Sequence, residues 1–113
     1  MYAYTATIGR NYSSCLAVPP SMRGQAMTLT RWERFIEDVK SDMLHAIPSE
    51  LAEIHRGKGV SDGVEEESAK ITVLRHSKAT DDKLGELRHL LSENARYYDQ
   101  DSIALTVSDV EFC

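Results

Sequence analysis

The side chains here that could do chemistry are four histidines, two cysteines, one arginine at a strand end and two acidic stretches. Each needs particular neighbours. A metal site needs three or four convergent ligands with second-shell support. His45, His55, His76 and His89 are scattered, and no HExxH, CxxC or clustered Cys/His spacing is present. The expectation is no metal and no cofactor, with the histidines at the surface or an interface. His55 shares strand parity with Glu53, so the two can face one side. His45, near a helix C-terminus, is favoured when protonated. A nucleophilic thiol needs a depressed pKa and a neighbouring base. Cys15 stands beside Ser13 and Ser14, and Cys113 is the last residue; the spacing supplies neither requirement.

Gly9-Arg10-Asn11 follows the first strand. An arginine at a strand end can fork onto a carboxylate or phosphate, and asparagine can take a left-handed turn. The same triplet also reads as plain strand termination with a surface arginine. It is not a phosphate cradle, since neither GxGxxG nor a Walker pattern occurs. The acidic residues are Asp62, Glu65, Glu66 and Glu67, then Asp99, Asp101, Asp109 and Glu111. They read either as solvated surface or as a docking surface for a basic groove.

The elements that position these residues can be read from periodicity. Tyr2, Tyr4, Ala6 and Ile8 share one parity, which predicts a strand over 2–8. Residues 12–27 form a long connection, extended at Pro19-Pro20. Thr30-Arg31-Trp32-Glu33 fits a capping box, and Trp32, Phe35, Ile36, Val39 and Met43 make a helical stripe that ends at Pro48. Residues 50–56 and 68–76 read as hairpin strands around a flexible loop from Gly57, with Glu65-Glu66-Glu67 following. Thr80 or Asp81 caps a second helix with Leu84, Leu87, Leu91, Ala95 and Tyr98 inward. Gly85 costs that helix about 1 kcal/mol relative to alanine, which suggests close packing there. A last strand runs through Ile103, Leu105 and Val107, with a bulge or turn at Ser108-Asp109.

The order β-α-β-β-α-β over a single domain of residues 1–113 predicts an α+β, ferredoxin-like plait: a four-stranded antiparallel sheet with two helices on one face. Thr5, Thr7, Thr72, Ala104 and Thr106 fall on the other face, which suits water or a second subunit in a homodimer. Trp32 and Phe35 read as core, and Tyr97-Tyr98 as part core, part interface.

The net charge of -5 argues against direct nucleic-acid binding. No stretch approaches about 18 apolar residues, so no membrane segment is expected. The N-terminus lacks a signal peptide's basic start and apolar run, and two cysteines make no disulfide framework. A cytoplasmic protein with reduced thiols is expected.

Tyr4-Thr5-Ala6-Thr7-Ile8-Gly9-Arg10-Asn11, Trp32-x-x-Phe35 and Gln100-Asp101-Ser102-Ile103-Ala104-Leu105-Thr106-Val107 resemble small phage and mobile-element proteins of actinobacterial type. That group brings no established activity and no catalytic residues. The resemblance implies company with small acidic phage proteins that bind a host complex, in the host cytoplasm. One expectation is therefore a non-enzymatic protein-binding module, such as a phage-encoded inhibitor of a host defence nuclease or CRISPR complex. Its surface would be Asp62, Glu65, Glu66, Glu67, Asp99, Asp101, Asp109 and Glu111, with Arg10 and Asn11. The alternative is a cofactor-free dimeric α+β-barrel enzyme or small-ligand-binding protein, with a cavity lined by Tyr4, Trp32 and a histidine.

Overall fold

Tyr4, Ala6 and Ile8 are at most 4% exposed while Thr5 and Thr7 between them are half-buried, the period-2 burial of a sheet covered on one face. The computed structural model describes residues 1–13, 18–61 and 63–109. It runs β1 (Tyr2–Gly9), α1 (Leu29–Ala46), β2 (Leu51–Ser61), β3 (Val64–Arg75), α2 (Asp81–Tyr97) and β4 (Ala104–Asp109). The sheet order is β2-β3-β1-β4, and every pairing is antiparallel. The fold is α+β, and the order is compatible with a ferredoxin-like plait.

Both helices bury the expected stripes. Trp32, Phe35, Ile36, Val39 and Met43 of α1 meet Leu87 and Leu91 of α2 over Ala6, Ile71 and Val73 of the sheet. Phe35 stacks on Tyr98 with ring centroids 4.4 Å apart. The fully buried Tyr4 hydroxyl accepts the Ala79 N–H at 2.8 Å, tying β1 to the turn before α2. Between the helices, Tyr98 donates its hydroxyl proton to Asp38, and Asn94 Nδ2 donates to Asp42 Oδ2 at 2.6 Å. These bonds satisfy polar groups that would otherwise make burial costly.

The start of α1 differs from the sequence expectation. Thr28, not Thr30, is the N-cap, and its Oγ1 accepts the Arg31 N–H at 3.3 Å. Met27 and Trp32 then occupy the two staple positions, and both are in the core. Burying Met27 sets the helix start two residues earlier than the box implies, which frees Glu33 for another partner. At α2, Thr80 caps, as one of the two expected choices, and accepts the Lys83 N–H at 3.3 Å. Gly85 is exposed and a Cβ there would meet nothing within 4 Å, so no close packing explains it.

The hairpin is longer than expected. Residues 57–61 and 64–67 are paired strand, not flexible loop, with Lys58 opposite Glu67 and Ser61 opposite Val64. Gly63, just before β3, has φ +79°, a left-handed conformation that favours glycine. The arm projects past β1, whose pairing with β3 ends at Gly9–Ser68.

Within residues 12–27, Pro19 opens a turn closed by the Met22 N–H rather than an extended stretch. The connection folds back on itself: Tyr12 N–H donates to Gln25 O, and Met27 N–H to Arg10 O. Ser108 and Asp109 pair regularly with Ala3 and Tyr2, so no bulge interrupts β4 there. Cys15, Cys113 and Glu111 lie outside the described residues, as does Asp62. The uncovered face carries Thr5 and Thr72, hydrogen-bonded at 2.9 Å, and Thr106 next to Thr5. Among the described residues, no helix is long and apolar enough to cross a membrane.

Candidate ligand site at the root of the hairpin arm

The register that buries Ile8 against Ala69 places Arg10 and Glu67 two residues further along, and so on the same helix-facing side. The Arg10 N–H donates to the Glu67 carbonyl at 3.0 Å, which continues the ladder past β1. Their side chains meet as well: Arg10 Nη1 donates to Glu67 Oε2 at 3.0 Å, and Arg10 Nε to Met27 O at 2.9 Å. Lys58 Nζ stands 3.8 Å from both Glu67 Oε1 and Glu65 Oε1. Glu67 is therefore flanked by a cation on each oxygen and is 28% exposed.

A second clasp closes the adjoining space. Arg56, on the same strand face as Lys58, forks onto Glu33 of α1 at 2.5 and 2.7 Å. The Arg56 hydrogen bonds hold the Glu33 carboxyl below its ordinary value, and Glu33 in turn raises the guanidinium. Between the clasps lies a hollow of about 340 Å³ walled by Leu29, Trp32, Lys58 and Glu67. On the other side of Glu67 is a smaller one of about 220 Å³, against Arg10, Asn11, Ala26 and Glu65. Glu67 borders both. The larger hollow is of ligand size, with an apolar wall on one side and charges of both signs on the other.

Of the residues singled out from sequence, the fold brings together Arg10, Asn11, Glu65 and Glu67. Glu66 alternates to the opposite face of the arm. Asp99 and Asp101 border a different groove, and Asp109 sits at the far end of the sheet, 3.9 Å from the N-terminal amine. Asp62 and Glu111 are outside the described residues. The acidic stretches thus form no single surface. Sequence reasoning missed Glu33, Arg56 and Lys58. Glu33 had been absorbed into a capping box, and the two cations into a strand end and a loop. Gly63, with its positive φ at the tip of the arm, is the signal for a pairing that continues outward and aligns Lys58 with Glu67.

The histidines do not converge. His45, His55, His76 and His89 are all exposed, with Nε2 at 3.7, 3.1, 3.0 and 3.3 Å from Glu86, Glu53, Glu50 and Glu93. Among the described residues no group of three or more histidine, cysteine or acidic side chains could hold a metal ion. The cavity expected between Tyr4, Trp32 and a histidine is not there: Tyr4 and Trp32 are packed into the core and every histidine is outside it.

No family model and no curated protein matches the chain. Solved structures do. A phage SAM lyase in its apo state superposes with a TM-score of 0.54 at 20% identity, covering 95% of this chain and 78% of its own. The chain shares the fold of a phage SAM lyase. A structure of a phage SAM lyase in complex with S-methyl-5'-thioadenosine gives a TM-score of 0.52 at 17% identity, covering 96% of this chain and 80% of the other. The phage resemblance is thus met at the level of fold. The comparison overturns the non-enzymatic binding module, and with it the inhibitor of a nuclease or CRISPR complex, because the fold is one that an enzyme uses.

Proposed function

We propose that the protein is a small-molecule enzyme of the SAM lyase kind, with its reaction centre at Glu67. The observation that carries this reading is a partly buried carboxylate bordering two hollows, in a fold shared over 95% of the chain with a SAM lyase. SAM is a sulfonium with an amino-acid tail, so it brings a positive sulfur, an ammonium and a carboxylate. Glu67 and Glu65 suit the positive groups, and Arg10 and Lys58 suit the carboxylate. In the cleavage, the substrate's own carboxylate attacks the carbon bonded to sulfur as that bond breaks with its electron pair staying on sulfur, giving neutral S-methyl-5'-thioadenosine and homoserine lactone, whose ammonium keeps the positive charge. Loss of the sulfonium charge is helped where water is displaced, and Leu29 and Trp32 supply the apolar wall.

The test is incubation of the purified protein with SAM and mass spectrometric detection of S-methyl-5'-thioadenosine. Turnover by the wild type and a loss of about 100-fold or more in Glu67→Gln, with the circular dichroism unchanged, is the expected result. A wild-type protein that releases no thioether overturns the assignment.

A further inference from the structure

A second groove, of about 700 Å³, runs between α2 and the segment that leads into β4. It shares no lining residue with the hollows at Glu67, and its size is that of a small-molecule site. Its floor is apolar: Leu91 and Ala95 are 3% and 4% exposed, and Ile103 is half-buried beside them.

One wall is cationic. Arg88 and Arg96 lie four residues either side of Ser92, so each stands about 6 Å along the helix axis from it, within reach of a guanidinium arm. Among the described residues neither side chain has an ion-pair or hydrogen-bond partner.

The other wall carries Asp99, the one non-glycine residue with positive φ among those described, at +56°. Its N–H donates to Arg96 O at 3.3 Å and the next N–H, of Gln100, to Ala95 O at 2.8 Å. That pair of bonds is a Schellman turn, whose left-handed position glycine ordinarily fills. An aspartate there is strained relative to glycine. Asp99 lines the groove, and its carboxylate makes a long ion pair, Oδ2 to Arg31 Nη2 at 3.7 Å, with no hydrogen bond to either oxygen among the described residues. Asp101 borders the same side, which gives the groove a polarity: cations on α2, acceptors opposite, apolar surface between.

We infer that this groove is a second small-molecule site, for a nucleoside monophosphate. The phosphate sits between Arg88 and Arg96, bound bidentately, the ribose hydroxyls donate to Asp99, and the base lies on Leu91, Ala95 and Ile103. The inference goes beyond the lyase reading and does not depend on it.

Calorimetric titration of the full chain with adenosine 5'-monophosphate tests it, with adenosine and inorganic phosphate as separate arms. Saturable one-to-one binding of the monophosphate, at least tenfold tighter than either fragment, is expected. Arg88→Ala with Arg96→Ala should weaken it at least tenfold. So should Asp99→Gly, a variant that suits the backbone and keeps the fold. Absence of saturable binding overturns the inference. So does affinity unchanged in both variants, or binding lost in Glu67→Gln but kept in them.

Discussion

Arg10 and Glu67, 57 residues apart, are joined twice: backbone N–H to carbonyl at 3.0 Å, and guanidinium to carboxylate at 3.0 Å. Their side chains are 21% and 28% exposed, so the pair is neither a free surface bridge nor a fully desolvated one. Removing one partner strands the other charge in a partly dry place. Glu67→Ala and Arg10→Ala should each cost about 1–2 kcal/mol, after allowance for solvent screening. The double variant should cost less than the two together, with a coupling of about 1 kcal/mol. Urea unfolding of the four proteins measures this, and strict additivity would show that the contact contributes nothing.

The Glu33–Arg56 clasp has a pH signature. A carboxyl held below its unfolded value contributes stability above that value and loses it as pH falls through the folded one. The ordinary value is 4.5, so the clasp is intact at neutral pH and opens in the acid range beneath 4.5. Carbon NMR titration of the Glu33 carboxyl should give a midpoint below 4.5 that returns towards it in Arg56→Ala. A wild-type midpoint at or above 4.5 would contradict the fork seen here.

Tyr98 behaves in the opposite sense. Burial, then the hydrogen bond to Asp38, raise its phenol well above the usual 10. Its contribution is whole below the unfolded value and fades as pH rises from there towards the folded one. Alkaline absorbance titration should show a late-ionising phase that is missing in Tyr98→Phe. A late phase unchanged in Tyr98→Phe, or a Tyr98 contribution that titrates near pH 10, would rule this out.

Thr28 and Thr30 are both plausible caps on paper, and only one caps. Thr28→Ala should destabilise by about 1 kcal/mol, and Thr30→Ala by no more than a few tenths. Thermal unfolding of the two variants decides between them; equal shifts, or a larger one at Thr30, would restore the capping box.

Gly85 sits in α2 with open space where a Cβ would go. Gly85→Ala should stabilise the protein by about 0.5–1 kcal/mol through helix propensity and a stiffer unfolded chain. A loss of stability in denaturant titration would show that the position needs glycine after all.

The sequence by itself determined the element order and the faces that become core. The stripe from Trp32 to Met43, the alternation from Tyr2 to Ile8 and the leucines of α2 each obey a local period, and hydrophobic burial follows that period directly. The open face of Thr5, Thr7, Thr72, Ala104 and Thr106 follows from the same alternation. What only the tertiary structure decided is which distant charges meet. Whether Glu67 faces Arg10 depends on the register of β1 against β3, and Lys58 joins them only because the hairpin stays paired out to residues 61 and 64. Glu33 and Arg56 are 23 residues apart, on a helix and a strand whose crossing no local pattern specifies. The choice of Thr28 over Thr30 was likewise made by the burial of Met27, a non-local event. Local propensity acts over one turn or one strand, whereas the candidate site is assembled from charges whose proximity is set by packing.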